Sequence, residues 1–155
     1  MSINIVIVNP QIPQNTGSIA RMTAACKCEL HLIKPMAFEI NDKNVKRAGL
    51  DYWPEVNLSI HDSWDEFLAV TSATSSKLWL FTTKTTKPYY EANFSVGDFL
   101  VFGAETTGIP VEIRNQYPSQ CVNIPMDNPN VRSLNLATSA GIGLFEARRQ
   151  IASSK

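Results

Sequence analysis

The chain has 155 residues, fourteen basic against fourteen acidic, and 44% of it is apolar. The length fits one domain over residues 1–155, the apolar fraction suffices for a buried core, and no apolar run approaches the roughly 20 residues that span a bilayer, so no membrane segment is expected. A formal net charge of zero withholds the overall basic signature of many nucleic-acid binders, although Arg21, Lys27, Lys34, Lys43, Lys46 and Arg47 gather in one stretch.

Ile3–Val8 is apolar and β-branched, which predicts a buried first strand ended by Asn9-Pro10. It lacks the basic start and small-residue cleavage site of a signal peptide. A loop over residues 9–17 leads into a helix that runs to about Lys27, with Asn15 or Thr16 as the expected cap. Glu29–Ile33 reads as a second strand closed by Pro35, and Asp42–Ala48 as a short basic helix stopped by Gly49. Val56–Ile60 is a strand, followed by a helix from the capping sequence Asp62-Ser-Trp-Asp-Glu66 to Thr71. Leu78–Thr82 and Phe99–Gly103 are strands separated by a polar loop over residues 84–93. Pro110 opens a short helix, Cys121–Ile124 is the last strand, and Ser133–Ile151 is the closing helix, with Ser133 as its expected cap and Ser153–Lys155 as a frayed end. Strands alternating with helices predict an α/β fold: a mostly parallel sheet with helices on both faces.

Ligands of such sheets bind beyond the carboxyl ends of the strands. Three loops there carry unusual residues: 9–21, 103–110 and 124–135. In the first, Asn15-Thr-Gly-Ser18 opens a helix whose amide dipoles favour an anion, and Arg21 one turn on is a candidate phosphate or carboxylate clamp. The second holds Gly103 at a strand end, Glu105 in the turn and Gly108 before a helix. In the third, Ile124-Pro-Met126 offers backbone polar groups beside apolar side chains, a setting for an adenine ring, with Asn135 supplying a fixed amide. In the last helix, Ala137, Ala140, Gly141 and Gly143 predict that another backbone approaches closely, because helical glycine costs about 1 kcal/mol relative to alanine.

Other chemistries find no foothold. Cys26, Cys28 and Cys121 are odd in number and lack metal-ligand spacing, which suits free thiols in a reducing cytoplasm. His31 and His61 share no motif, and His31 reads as a sheet residue. No G-x-G-x-x-G follows a strand, and neither a P-loop nor a nucleophile elbow is present. Trp53, Trp64 and Trp79 read as core or interface residues.

Taken together, the three loops resemble the SPOUT superfamily of RNA methyltransferases, and within it the small TrmL (YibK) group of tRNA 2′-O-methyltransferases. The resemblance covers nearly the whole chain. It rests on Asn9-Pro-Gln-Ile-Pro-Gln-Asn-Thr-Gly-Ser-Ile-Ala-Arg21, Arg47-Ala-Gly-Leu-Asp-Tyr52, Leu100-Val-Phe-Gly-Ala-Glu-Thr-Thr-Gly-Ile-Pro110, Ile124-Pro-Met126, Arg132-Ser-Leu-Asn135 and Glu146-Ala-Arg-Arg-Gln150. It implies a sheet whose C-terminal segment is threaded into a deep trefoil knot, something no general topological rule would propose. It implies S-adenosylmethionine held by Phe81, Thr82, Gly103, Glu105, Ile124, Met126, Ser133 and Leu134. It further implies a cytoplasmic homodimer joined through its first and last helices, where the small residues of the last helix would serve, and no metal.

The implied reaction is methyl transfer to the ribose 2′-hydroxyl of a wobble cytidine or uridine in tRNA(Leu)-type substrates. Arg21, Glu105 and Asn135 stand at the implied catalytic positions. A guanidinium does not readily surrender a proton, so clamping the adjacent phosphate is the easier task for Arg21, leaving Glu105 or water to accept the hydroxyl proton and Asn135 to orient the ribose. The expected tRNA surface runs through Lys43, Lys46, Arg47, Lys84, Lys87 and the Arg21 loop. Phe145 stands where the family commonly has tyrosine, and Ser18 where asparagine is common. The alternatives are a nucleotide- or flavin-binding α/β protein using the Asn15–Ser18 loop as a phosphate cradle, and a non-enzymatic RNA-binding module.

Overall fold

The computed structural model describes residues 2–41 and 43–154. Its elements alternate as expected: β1 (Asn4–Val8), α1 (Pro13–Cys26), β2 (Glu29–Ile33), α2 (Lys43–Gly49), β3 (Asn57–His61), α3 (Trp64–Thr71), β4 (Leu78–Phe81), β5 (Phe99–Phe102), α4 (Val111–Gln116), β6 (Cys121–Val122) and α5 (Leu136–Ser153). The expected helix start at Asp42 and the last residue, Lys155, lie outside the described residues, as do the side chains of Leu50 and Asp51 in the Arg47–Tyr52 motif. Short 3-10 turns occupy Leu50–Glu55, Tyr89–Glu91 and Pro118–Gln120.

The six strands form one parallel sheet in the order β3-β2-β1-β5-β4-β6. A parallel sheet needs cover on both faces, and the side-chain alternation supplies it. Ile5 and Ile7 of β1 and Leu30 and Leu32 of β2 pack with Ile19 and Ala20 of α1 and with Ala140, Leu144 and Ala147 of α5. Val6, Val8, Ile33 and Val101 point the other way, toward Phe67 of α3 and Ile113 of α4. Each Val, Leu, Ile or Phe side chain among them, fully buried, contributes about 1.5–3 kcal/mol. The chain leaves the sheet at edge strand β6, and α5 returns to lie against α1 and β5, a path consistent with a threaded C-terminal segment.

At the amino ends of the strands, Asp98 closes the sheet. It is 2% exposed, and its carboxylate accepts from Trp79 Nε1 (3.0 Å), Lys77 N (2.9 Å) and Ser95 N (2.9 Å). Trp79 is therefore core, and Trp53 and Trp64 pack partly buried against the two apolar layers.

Helix ends follow the sequence at α3 and depart from it at α1, at α5 and at α4, where Pro110 is the cap residue and Val111 the first helical one. Ser63 caps α3 by accepting from Glu66 N at 3.1 Å, while Glu66 reaches back to Asp62 N at 3.3 Å. α1, however, begins at Pro13 with Ile12 as its cap residue, so Asn15 and Thr16 lie buried inside its first turn. Proline at the first helical position lacks an N–H that would in any case go unpaired, and this starts the helix earlier than a polar cap would. α5 is capped by Asn135, whose side chain accepts from Thr138 N at 3.1 Å, and not by Ser133.

Candidate active site

The loops after β4, β5 and β6 enclose a cavity of about 340 Å³ at the carboxyl ends of the strands. That volume lies within the range of small-molecule sites. Phe81, Thr82, Gly103, Glu105, Ile124, Met126, Ser133 and Leu134 all line it, so each residue the sequence pointed to for a cofactor reaches the same space. Lys84, Arg114 and Arg132 also line it, three cations the cofactor expectation left out. No regular spacing marks them: Lys84 follows β4, Arg114 sits on α4 and Arg132 lies between β6 and α5.

The 103–110 loop folds back on itself. Gly108 adopts φ +70°, and its N–H donates to Ala104 O at 2.8 Å. This brings the Gly108–Ile109 peptide against Gly103, where an added Cβ would lie 2.0 Å from Gly108 C and 2.1 Å from Ile109 N. Only glycine can occupy position 103, since main chain cannot move aside as a side-chain tip can.

Glu105 fastens this loop to α1. One carboxylate oxygen accepts from Gln11 N at 2.8 Å and the other from Ile12 N at 3.1 Å. Gln11 answers by accepting from Thr106 N at 3.0 Å and Thr106 Oγ1 at 2.8 Å. A carboxylate on unpaired amides at a helix start is well placed against the helix dipole. These bonds join the loops after β1 and β5, the neighbouring strands at which the strand order reverses.

Asn135 also joins the two halves. While capping α5, it donates through Nδ2 to Asn15 Oδ1 at 3.0 Å. In the cavity wall, Phe81 stacks on Phe102 with centroids 4.7 Å apart, and Gly143 of α5 lies against both rings. A Cβ at position 143 would meet Phe81 Cζ at 2.8 Å. At Ala140 and Gly143, both buried, the close approach is thus to the chain's own core, so these two small residues are accounted for within one chain. Gly141 is half-buried, and a Cβ added there would have only Met22 Sδ within 4 Å, at 3.5 Å.

Arg21 does not line the cavity. It is exposed on α1, and its guanidinium lies 5.0 Å over the Tyr52 ring, a partner the sequence did not reveal. The two histidines, unrelated in sequence, meet across β2 and β3 with His31 Nδ1 2.9 Å from His61 Nε2. They sit among Phe67 and Phe99 on the α3 face, in the sheet and away from the cavity lining. Among the described residues, no group of three or more His, Cys, Asp or Glu is arranged to hold a metal ion.

This parallel sheet, with its cavity framed by the last three strand-end loops, defines a SPOUT-type α/β protein. A family model described as the SpoU rRNA Methylase family matches residues 2–145, and the chain belongs to that family. Among curated relatives, the tRNA (cytidine(34)-2'-O)-methyltransferase of Saccharophagus degradans is 44% identical over 96% of this chain and 95% of its own length. The protein of the same name from Methylovorus glucosotrophus is 44% identical over 95% and 94%. A solved structure described as giving structural insights into the 2-OH methylation of C/U34 on tRNA superposes with a TM-score of 0.92, at 41% identity, over 99% of this chain and 98% of that one. The SpoU methyltransferase AviRb from Streptomyces viridochromogenes, solved with AdoMet, shares the fold at 24% identity and a TM-score of 0.82, over 98% of this chain and 61% of its own.

Proposed function

We propose that the chain is a cytoplasmic, S-adenosylmethionine-dependent tRNA 2′-O-methyltransferase that acts as one domain on the ribose of wobble cytidine or uridine in tRNA(Leu)-type substrates. The convergence of all eight expected residues on one cavity carries this reading, and the names of the relatives at 44% identity support it.

The cavity fits the cofactor by its chemistry. Ile124, Met126 and Leu134 give apolar walls for an adenine ring, and Gly103 leaves main chain bare beside them. Thr82 and Ser133 add hydroxyls suited to the polar parts. When bound there, the cofactor supplies an activated methyl group. Placing the ribose hydroxyl in line with that methyl is the main task left to the protein.

Arg21 serves as the clamp on the phosphate beside the target ribose, where its charge lowers the cost of a developing alkoxide. Glu105 has both oxygens engaged by backbone N–H groups, so its contribution is to hold the loop in place, and water is the freer acceptor for the hydroxyl proton. Asn135 orients the ribose from the start of α5. No metal is required by this scheme. Arg21 stands outside the cavity lining, and Phe145 is 52% exposed on α5; both fit a homodimer that joins α1 and α5 surfaces and completes each site.

The test is labelled methyl transfer from S-adenosylmethionine to total tRNA of a strain lacking the activity, with wild type beside Arg21→Ala. Labelled 2′-O-methylated wobble nucleotide from wild type alone supports the reading. Cofactor binding without transfer to any tRNA overturns it in favour of a non-enzymatic RNA-binding module.

A further inference from the structure

Arg21 is exposed, and among the described residues no acid pairs with it; its guanidinium carbon lies 5.0 Å over the Tyr52 ring. Tyr52 belongs to the 3-10 turn Leu50–Glu55 that packs against α1. It is itself 44% exposed, so the stack lies at the surface. An arginine on a helix surface normally samples many rotamers, and holding it still costs side-chain entropy. A carboxylate could hold it, but would neutralise the charge and occupy the N–H fork that recognises phosphate. An aromatic face holds the guanidinium through its π-surface and leaves the N–H donors and the positive charge available.

We propose that Tyr52 is a positioning residue for the phosphate clamp: its ring pre-orients the Arg21 guanidinium while leaving every N–H of the fork free for RNA. The inference rests on the reading of Arg21 as that clamp. The ring face performs the task, so the hydroxyl is dispensable.

The experiment compares wild type with Tyr52→Phe, Tyr52→Leu, Arg21→Ala and the Arg21→Ala/Tyr52→Leu pair. It reads single-turnover methyl transfer, tRNA affinity and cofactor affinity, with the Arg21 side-chain resonances followed by NMR. Tyr52→Phe stays within about twofold of wild type, and Tyr52→Leu slows transfer about three- to thirtyfold, the span of a cation–π contact from exposed to desolvated. Cofactor affinity is unchanged in both, and Tyr52→Leu adds no further loss to Arg21→Ala. If the leucine variant aggregates, Tyr52→Gln replaces it with the same expectations. A Tyr52→Leu enzyme as fast as wild type overturns the proposal. So does a loss that persists in the Arg21→Ala background, which would mean that Tyr52 contacts RNA itself. A wild type that transfers no methyl group overturns the methyltransferase reading instead, and the NMR arm still reports on the pairing. Ring-current upfield shifts of the Arg21 δ-protons, present in wild type and Tyr52→Phe and lost in Tyr52→Leu, support it; unshifted resonances in wild type overturn it.

Discussion

Asn135 Nδ2 donates to Asn15 Oδ1 at 3.0 Å, a bond across 120 positions of sequence between the first turn of α1 and the residue that caps α5. The same Asn135 side chain satisfies Thr138 N. One amide therefore performs two tasks with opposite ends. Asn135→Ala removes both, and the lost cap and hydrogen bond together are expected to destabilise the fold by about 1–3 kcal/mol. Asn135→Asp retains the cap acceptor but replaces the donor facing Asn15, so its loss is smaller. Urea denaturation of the two variants checks the order.

Three glycines should respond to alanine in a fixed order. At Gly103 the new methyl meets main chain at 2.0 Å, and Gly103→Ala should lose cofactor binding and fold poorly. At Gly143 it meets the far end of the Phe81 ring at 2.8 Å, which can shift at a cost of about 1–3 kcal/mol. At Gly141 the contact with Met22 Sδ is an ordinary 3.5 Å, and the helix gains up to about 1 kcal/mol. Thermal melts with cofactor titration test the series. A Gly141→Ala protein that is thermally sound yet monomeric by sedimentation would assign that position to contact with a second copy.

Much of this was legible in the sequence. Short apolar runs marked the strands, β-branched in β1, and the Ser63–Glu66 capping pattern marked the start of α3 as found. The eight cavity residues were reached by resemblance and not by spacing, since a site built from three loops has no periodicity to read. The misplaced caps have a local cause. Asn15, Thr16 and Ser133 are good capping residues, but Pro13 fixes the start of α1 ahead of two of them, and Asn135 takes the place of the third. At Gly143 the sequence shows that a helix needs room without showing which neighbour fills it, here Phe81. The Arg21–Tyr52 stack and the His31–His61 pair join residues about 30 positions apart on different elements, beyond any motif.

Glu105→Gln puts an amide N–H₂ where a backbone N–H now donates. Losing one of two charge-assisted bonds at the start of α1 should cost about 1–3 kcal/mol. Because the same loop lines the cavity, cofactor affinity should fall with it, by calorimetric titration. A variant with wild-type stability and affinity but no methyl transfer would instead restore Glu105 as the proton acceptor.

Acid should weaken the fold through its histidine pair. Burial pushes the His31 imidazole from its ordinary 6.5 down to about 4, Glu29 opposes this, and His61 adds to it. Burial likewise lowers His61. Between pH 6.5 and about 4 the unfolded chain takes up a proton on His31 that the folded chain refuses, so stability rises with pH across that window. The contribution is complete above pH 6.5 and lost as pH falls toward 4. Comparing urea midpoints of wild type and His31→Gln at several pH values isolates it: the difference between them should change across this window, and parallel curves would contradict the assignment.

Lys43, Lys46 and Arg47 are exposed on α2, which packs beside α1. If they meet tRNA phosphates, affinity should fall steeply with salt, and each alanine substitution should lower the magnitude of the log–log slope by roughly 1. A flat salt response of the wild type would place the RNA elsewhere.

The fold-back of the 103–110 loop has a kinetic and entropic consequence. Its shape is fixed by its own main chain, with Gly103 against the Gly108–Ile109 peptide, and by Glu105 on α1. One wall of the cavity therefore stands before any ligand arrives, and the ordering penalty that weakens many loop-built sites is already met during folding. A ligand entering it should show little backbone change in this segment. What adjusts on binding should be the exposed residues of the 124–135 loop, which also contributes to the cavity lining.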